Sequence, residues 1–292
     1  MFNGLMVVNA FLRTTKFDDL YHTLLSSARK AGMALDVATN AELCSIVDTS
    51  SFHPSAYDFV LFWDKDVQLA MQLEALGMRV FNSAQSILWC DDKALTYLRL
   101  KAAGVPTPRT ILAPKTFPNI GYTDLSFLTN IADELGFPMV LKECFGSFGQ
   151  QVYLIRSIDE LREKVQSMAG TPLLFQELIT ESYGRDVRVN IVGGRVAASM
   201  LRMSTDGDFR SNLTRGGSME PWEATPEQEA AALAAVKALK LDFAGVDVMF
   251  GKDGPIICEV NSNAHFKTTL QCTGVNMADE IMAYIAGKLA KR

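Results

Sequence analysis

The chain has 292 residues, of which 48% are hydrophobic and 21% charged, and a formal net charge of -5. This composition is typical of a globular protein, and the length predicts two or three structural lobes. The acidic balance argues against general nucleic-acid binding, and no uncharged apolar run reaches the ~18 residues that a membrane span needs. The five cysteines are scattered without a C-x-x-C pair, so neither a zinc site nor a disulfide framework is predicted, and free thiols favour a cytoplasmic protein.

Residues 1–88 alternate apolar runs with helical patterns. The run at 5–8 precedes an amphipathic pattern that ends near Gly32, and the run at 58–63 precedes another that ends at Gly77. Such alternation predicts a small parallel α/β domain. No G-x-G-x-x-G fingerprint follows the first run, which removes the main support for a dinucleotide-binding domain.

From about residue 89 onward the pattern changes. A helix is predicted to open at Asp91-Asp92-Lys93 and to end at Gly104, after which a proline-rich segment imposes extended chain. Further on, Gly193 and Gly194 separate two apolar runs and predict a two-residue hairpin.

The hairpin at residues 244–261 has a register that follows from its apolar pattern. The pattern sets Val246 opposite Val260 and Val248 opposite Cys258, so that one face of both strands is apolar. The opposite face is therefore left to the polar residues of the two strands.

On that polar face, Asp247 falls opposite Glu259 with Cβ atoms about 5 Å apart, and Asn261 lies two residues beyond Glu259. Opposed carboxylates repel each other, and a divalent cation with oxygen ligands would relieve the repulsion. Magnesium takes one or two carboxylates and leaves its other positions to water and phosphate. A metal site is one interpretation of this pair, and a water-facing acidic side of the hairpin is the other.

A glycine-containing loop follows the predicted strand 139–142. Lys142 at the strand end can pair with phosphate oxygens, and the glycines and serine of residues 146–149 allow backbone amides to approach phosphates. The loop lacks the G-x-x-x-x-G-K-[ST] spacing of a P-loop. The alternative is an ordinary hairpin loop with Phe145 or Phe148 packed inward.

Six arginines and no lysine fall between residues 185 and 215. Arginine forks bind carboxylates and phosphates through two hydrogen bonds, so this clustering predicts a local anion pocket. Solvated surface arginines are the alternative, which we expect for the two that flank turns, Arg185 and Arg195. The six are Arg185, Arg188, Arg195, Arg202, Arg210 and Arg215.

Taken in chain order, these pieces resemble the ATP-grasp superfamily and, more narrowly, the RimK-like glutamate ligases. The similarity begins near Asp92-Lys93 and runs to about residue 285. Its most specific elements are Asp208-Phe209-Arg210-Ser211-Asn212 with Arg215-Gly216-Gly217, followed by Gly245-Val246-Asp247 and Glu259-Val260-Asn261.

The resemblance implies a mixed α/β and α+β fold. Two α+β lobes, at about 89–175 and 176–292, would clasp ATP after the small α/β domain. Residues 176–179 would read the adenine through backbone groups, and residues 146–149 would form a mobile phosphate lid. The implied ATP contacts are Lys93, Lys142, Gly146, Ser147, Phe148, Gly149, Gln176, Glu177, Leu178, Ile179 and Asp186, the last of them at the ribose.

The resemblance also implies a chemistry. A small-molecule carboxylate would attack the γ-phosphate of ATP, and an amine on an amino acid, a peptide or a protein terminus would then displace phosphate from the acylphosphate. Positioning and charge neutralisation would supply the catalysis. Asp247, Glu259 and Asn261 match the magnesium ligands, with manganese as the alternative ion. The matches to phosphoryl- and acyl-binding residues are Arg188, Arg202, Arg210 and Asn212.

One segment departs from the family pattern. Asn261 is followed by residues 262–267, where the glutamate-adding enzymes have a proline-glycine turn of small residues. The expected addition is therefore glutamate or a related amino acid. The predicted substrate contacts are Arg215, Asn263, His265 and Lys267, and a general-base role for His265 stays open.

Two other functions remain as alternatives. A phosphotransferase on the same fold would share the nucleotide site and form no amide. A silent nucleotide-binding protein would be expected to lose Lys142 or a metal ligand, and all of these residues are present. A homo-oligomer stays open as well.

Overall fold

The computed structural model describes residues 1–12, 14–44, 54–146, 149–211 and 217–291. Within these ranges the chain forms three sheets, one parallel and two antiparallel. No helix in the described ranges is long and apolar enough to cross a membrane.

The first sheet is parallel, as the alternating pattern predicted. Its strands are β1 Phe2–Val8, β2 Met33–Thr39, β3 Phe59–Trp63 and β4 Val80–Phe81, and its helices are α1 Thr15–Lys30, α2 Asn40–Leu43, α3 Val67–Ala75 and α4 Ala84–Asp91. The strand order is β2-β1-β3-β4. Strand β3 is buried along its whole length, which explains its continuous apolar run. The edge strand β2 was not predicted, because most of its residues are partly or fully exposed and its pattern is weak.

A small antiparallel lobe follows. Its elements are α5 Lys93–Ala102, β5 Thr110–Leu112, α6 Phe127–Leu135, β6 Met139–Glu143, β7 Val152–Ile155, α7 Ile158–Ser167 and β8 Leu173–Glu177, with sheet order β5-β8-β6-β7. Asp92 caps α5, as predicted. Along β6, Met139 and Leu141 pack in the lobe's core. The alternation of the strand therefore places Val140 and Lys142 on the other face, where both line a cavity.

The large lobe contains the second antiparallel sheet. Its elements are β9 Arg185–Val192, β10 Arg195–Met203, β11 Ser218–Pro221, α8 Pro226–Ala238, β12 Phe243–Gly251, β13 Gly254–Asn261, α9 Lys267–Thr273 and α10 Met277–Leu289, with sheet order β11-β10-β9-β12-β13. Val187, Val189 and Ile191 pack in the same core as α8. Asp186 and Arg188 consequently face away from α8, toward the small lobe and the N-terminal sheet.

The β12–β13 register differs from the prediction beyond the carboxylate pair. Asp247 faces Glu259 as predicted, but Val248 pairs with Ile257 and not with Cys258, because a bulge adds one residue to β13. Ile257 is fully buried in the core, whereas Cys258 lines a cavity on the opposite face. A bulge re-aims side chains in this way without ending the strand pairing.

Hydrogen bonds from Asn82 join the N-terminal sheet to the large lobe. Its Nδ2 donates to the carbonyl oxygens of Phe243 and Ser262, at 2.9 and 3.0 Å. Its Oδ1 accepts from the amides of Asp242 and Phe243, at 2.6 and 3.2 Å. Both the Nδ2 and the Oδ1 of this buried side chain therefore have hydrogen-bond partners. These bonds fix the position of the N-terminal sheet relative to the large lobe.

Candidate active site

Two cavities meet at the centre of the molecule. The first, of about 820 Å³ including space open to solvent, lies between the small-lobe sheet and the large-lobe sheet. The second, of about 1470 Å³ on the same measure, lies between the large-lobe sheet and the carboxyl ends of β1 and β3. Four residues line both cavities and define a junction: Gly149, Arg202, Asp247 and Glu259.

Lys142 supplies a buried positive charge to the first cavity. Its Nζ lies 3.4 Å from the Tyr97 hydroxyl and 4.0 Å from the Cys258 thiol. Burial alone would lower the pKa of Lys142, but Cys258, Tyr97 and Glu259 raise it above its ordinary value. Lys142 has no carboxylate partner within ion-pair distance in the described part of the chain, so its charge is available to an anion.

Lys93, the first residue of α5, links the glycine loop to β13. Its Nζ donates to the Gly146 carbonyl at 3.1 Å and lies 3.6 Å from a carboxylate oxygen of Glu259. Gly146 adopts a φ of 136°, which a side chain would strain. Both predicted phosphate-binding lysines therefore lie at the first cavity.

The segment predicted to read the adenine, residues 176–179, lines the first cavity. The Gln176 amide donates to Thr110 Oγ1 at 2.8 Å, and the Glu177 carboxylate accepts from the Arg109 amide at 2.7 Å. These bonds hold both side chains against the small lobe and fix the edge of the cavity.

A buried network of alternating charges forms the floor of the junction. The Arg202 guanidinium donates to both carboxylate oxygens of Asp186, at 2.7 and 2.5 Å, and lies 2.9 Å from Asp247. Arg188 also binds both oxygens of Asp247, one of them at 3.0 Å. Although burial raises the pKa of Asp247, Arg188 and Arg202 hold it below its ordinary value. Arginines thus offset the repulsion between Asp247 and Glu259.

The predicted magnesium ligands present a suitable donor set. Asp247, Glu259 and Asn261 offer two carboxylates and an amide at the second cavity, and the Glu259 side chain is 35% exposed. The Asn261 amide would bind a cation through its Oδ1, since its Nδ2, which is buried without a hydrogen-bond partner among the described residues, is a donor. No cluster of three or more His, Cys, Asp or Glu side chains in those ranges could hold a metal. The site fits an ion that takes its remaining ligands from water and phosphate.

Arg210 ties the chain after β10 to the glycine loop. It donates to the Gly149 and Val152 carbonyls at 2.7 and 3.2 Å, and the Asp208 carboxylate orients it through contacts of 3.0 and 2.6 Å. Arg185 and Arg195 are exposed, as expected for arginines that flank turns. Four of the predicted site residues lie outside the described residues: Ser147, Phe148, Asn212 and Arg215.

The second cavity receives two of the predicted substrate residues, Asn263 and His265. The His265 ring packs edge-on against Phe17, with centroids 6.2 Å apart. Burial, followed by the charge of Lys16, lowers the pKa of His265 to about 4, so the imidazole is neutral near pH 7. Lys267 lines neither cavity and instead pairs with Asp19 of α1.

Sequence reasoning missed the N-terminal contribution to this cavity. Polar and aromatic residues from α1 and from the ends of β1 and β3 line it: Asn9, Lys16, Phe17, Tyr21, Trp63, Asp64 and Lys65. A signal was available, because Asn9 and Asp64 directly follow the apolar runs of two neighbouring parallel strands. Carboxyl ends of adjacent strands are a common place for ligands in such sheets.

The fold defines the class of protein. A RimK-domain ATP-grasp protein from Sphaerobacter thermophilus superposes with a TM-score of 0.72 at 20% identity, over 96% of this chain and 98% of that one. The fold is therefore ATP-grasp, as predicted. The model of the RimK-like ATP-grasp domain matches residues 90–285, and the chain belongs to the RimK-like ATP-grasp family.

Two relatives from Homo sapiens show how far the similarity extends. N-acetylaspartylglutamate synthase A is 36% identical over 231 residues, which are 78% of this chain and 58% of the relative. Beta-citrylglutamate synthase B is 34% identical over 236 residues, 78% of this chain and 60% of the relative. The chain thus spans about three-fifths of the length of these relatives.

Proposed function

We propose that the chain is an ATP- and magnesium-dependent carboxylate–amine ligase that adds glutamate or a related amino acid through an acylphosphate. The observation that carries this proposal is the junction, where Arg202, Asp247 and Glu259 line both cavities. A phosphoryl donor in the first cavity and a carboxylate in the second would meet there. Family membership supports the ATP site, and both relatives are named for products that contain glutamate.

The first cavity has the groups that a nucleotide needs. Lys142 and Lys93 would neutralise phosphate charge, and residues 176–179 would contact the base. Asp247, Glu259 and Asn261 would hold magnesium, which neutralises phosphate oxygens and lowers the barrier to attack on phosphorus. The Asp186 carboxylate already accepts two hydrogen bonds from Arg202. A ribose hydroxyl that bound Asp186 would therefore bind a carboxylate that is also paired with an arginine.

The reaction would proceed in two displacements at the junction. A carboxylate oxygen attacks the γ-phosphorus and ADP leaves. The nitrogen of the unprotonated amine then attacks the acyl carbon, and phosphate and one proton leave. Arg188 and Arg202 are positioned to stabilise the negative charge that develops, since both lie in the buried network there. Arg210 holds the Gly149 carbonyl near the junction, and a closed loop at this place would keep water from the acylphosphate.

The test is phosphate release from ATP and magnesium, with mass spectrometry of the products. N-acetylaspartate, citrate and short peptides serve as acids, and glutamate and other amino acids as amines. We expect phosphate together with a product equal in mass to one acid plus one amine less water. Glu259→Gln is the control and should release almost no phosphate. A stable phosphorylated acid that never becomes an amide would contradict the ligase and favour a phosphotransferase.

A further inference from the structure

A buried carboxylate in the second cavity has no counter-ion among the residues that the structure describes. Asp64 follows β3, is 6% exposed and lines this cavity. The Asn9 amide donates to its two oxygens at 3.1 and 3.4 Å, and the Lys65 backbone amide donates to one at 2.7 Å. The Lys65 ammonium pairs with Asp91 instead. In the described part of the chain, Asp64 therefore has only neutral partners, although buried carboxylates are normally paired with a cation.

A second acceptor lies beside this carboxylate. The Asn263 Nδ2 donates to the backbone carbonyl of Asp64 at 2.8 Å. Because a carbonyl oxygen can only accept, this bond determines which end of the amide carries the nitrogen. The Asn263 Oδ1 is then an acceptor, and it is buried without a hydrogen-bond partner among the residues described. Two acceptors that line the same cavity thus lack a charged donor among the described residues.

Aromatic side chains line the same cavity as Asp64. They are Trp63, Tyr21 and Phe17, and aromatic faces attract ammonium groups. Lys16 also lines this cavity, and the ammonium of Lys65 pairs with Asp91. Arg188 and Arg202 lie on the large-lobe side, at or beside the junction. Burial raises the pKa of Asp64 above its ordinary value, as expected for a carboxylate without a cation. An entering ammonium would restore the missing pairing.

We propose that Asp64, together with Asn263, binds the ammonium group of the amine substrate in the second cavity and takes up one of its protons. The free amine nitrogen can then attack the acyl carbon, and the proton stays on the Asp64 carboxyl group. The N-terminal sheet would then supply specificity for the amine, while the large lobe supplies the acyl and phosphoryl chemistry. This inference rests on the proposed ligase function. It is separable from it, because binding of the amine can be measured without turnover.

The test compares glutamate with glutarate, which lacks the amino group. Calorimetry is done on the protein saturated with magnesium and a non-hydrolysable ATP analogue. We expect the wild type to bind glutamate more tightly than glutarate. Asp64→Asn should weaken glutamate about 10- to 100-fold, the range for one charged hydrogen bond, and leave glutarate unchanged. Asp66→Asn is the matched control, since Asp66 caps α3 and lines neither cavity, and it should bind both ligands as the wild type does.

Kinetics separate a positioning role from a structural one. Asp64→Asn should raise the KM for the amine and leave the KM for ATP and for the acid unchanged. Asn263→Ala, as a second variant, should weaken glutamate about 3- to 10-fold, the range for a neutral hydrogen bond. Equal affinity of the wild type for glutamate and glutarate, or a uniform rise in all three KM values, would overturn the proposal. Absence of amide formation despite selective glutamate binding would instead contradict the ligase function alone.

Discussion

The two opposed carboxylates at the junction differ in their surroundings. Asp247 is 4% exposed and is held by Arg188 and Arg202, whereas the Glu259 side chain is 35% exposed with Lys93 at 3.6 Å. Removing the charge of Asp247 would leave two buried arginines with one carboxylate between them, that of Asp186. Removing the charge of Glu259 would disturb only a partly solvated pair.

We therefore expect different stability losses from the same kind of change. Asp247→Asn should lower the free energy of unfolding by about 3 kcal/mol or more, as for a broken buried ion pair. Glu259→Gln should lower it by less than about 1 kcal/mol, as for a solvated pair. Both should reduce turnover with ATP and magnesium by about 100-fold or more, since each removes a charge from a proposed magnesium ligand. Urea denaturation and phosphate release measure the two effects, and equal stability losses would contradict the burial argument.

His265 predicts a pH dependence of stability. Its pKa is about 4 in the folded chain and ordinarily 6.5, so the unfolded chain binds a proton that the folded chain does not bind between these values. The stability contributed by the neutral ring is present above pH 6.5 and is lost as the pH falls toward 4. The urea midpoint of the wild type should fall more between pH 7 and 4.5 than that of His265→Gln. The exposed ring of His22 supplies the control, because His22→Gln should follow the wild type.

The same property bears on the role of His265. A group with a pKa of about 4 is a weak proton acceptor near neutral pH. The edge-on contact with Phe17 also holds the ring in the cavity wall. Contact with the substrate is therefore favoured over general-base catalysis.

Among the elements, the turn of the β9–β10 hairpin contains a glycine that also packs against a helix distant in the sequence. Gly193 and Gly194 have φ values of 60° and 78°, as in the two-residue turns that suit twisted strands. A Cβ on Gly193 would come within 2.4 Å of the Tyr284 ring in α10, whereas one on Gly194 would meet nothing within 4 Å. The first glycine is thus required by both conformation and packing, and the second by conformation alone.

This difference gives a matched pair of variants. Gly194→Ala should destabilise the protein by about 1–2 kcal/mol, the cost of a left-handed conformation. Gly193→Ala should cost at least about 1 kcal/mol more, because the Tyr284 ring must move in a packed region. Urea denaturation of both variants measures the difference. Identical losses in the free energy of unfolding would show that the Tyr284 ring moves aside without cost.

Strand alternation predicted part of the β12–β13 hairpin and failed at one residue. It placed Asp247 opposite Glu259, which the structure confirms, and it assigned Cys258 to the core, which was wrong. A bulge leaves no mark in an apolar pattern when the residues on either side of it are all apolar or small. Here Ile256, Ile257 and Cys258 could each have filled the core position.

At the scale of the whole molecule, the N-terminal sheet shares its core with the end of the chain. Ile281, Met282 and Ile285 of α10 are almost fully buried in one cluster with Leu20 and Leu24 of α1. The predicted boundary near residue 88 therefore lies between two segments, residues 1–88 and the later segment that contains α10, that bury apolar side chains against each other. Burial of this kind contributes most of the stability of a small sheet.

Residues 1–88 expressed alone should consequently fail to fold. The fragment loses the helix that covers α1 and the partners of Asn82, so its core side chains would be exposed to water. We expect weak near-ultraviolet circular dichroism and no cooperative urea transition for the fragment, and a cooperative transition for the full chain. A fragment that unfolds cooperatively with native-like spectra would show that the boundary marks an independent domain.

Local patterns in the sequence were sufficient for the parallel N-terminal sheet, the Gly193-Gly194 turn, Lys142 near its strand end and the Asp247–Glu259 pair, whereas the ATP-grasp fold was predicted from the resemblance to a family. Each local feature depends on residues that are close in the chain or on one repeating pattern, so strand geometry relates them directly. Only the tertiary structure decided the partners of buried polar and charged groups. Asn263 meets Asp64 across 199 positions, and Arg188 meets Asp247 across 59. No local pattern encodes such pairs, because they arise when separately formed sheets pack and buried polar groups must find whatever partners the packing provides.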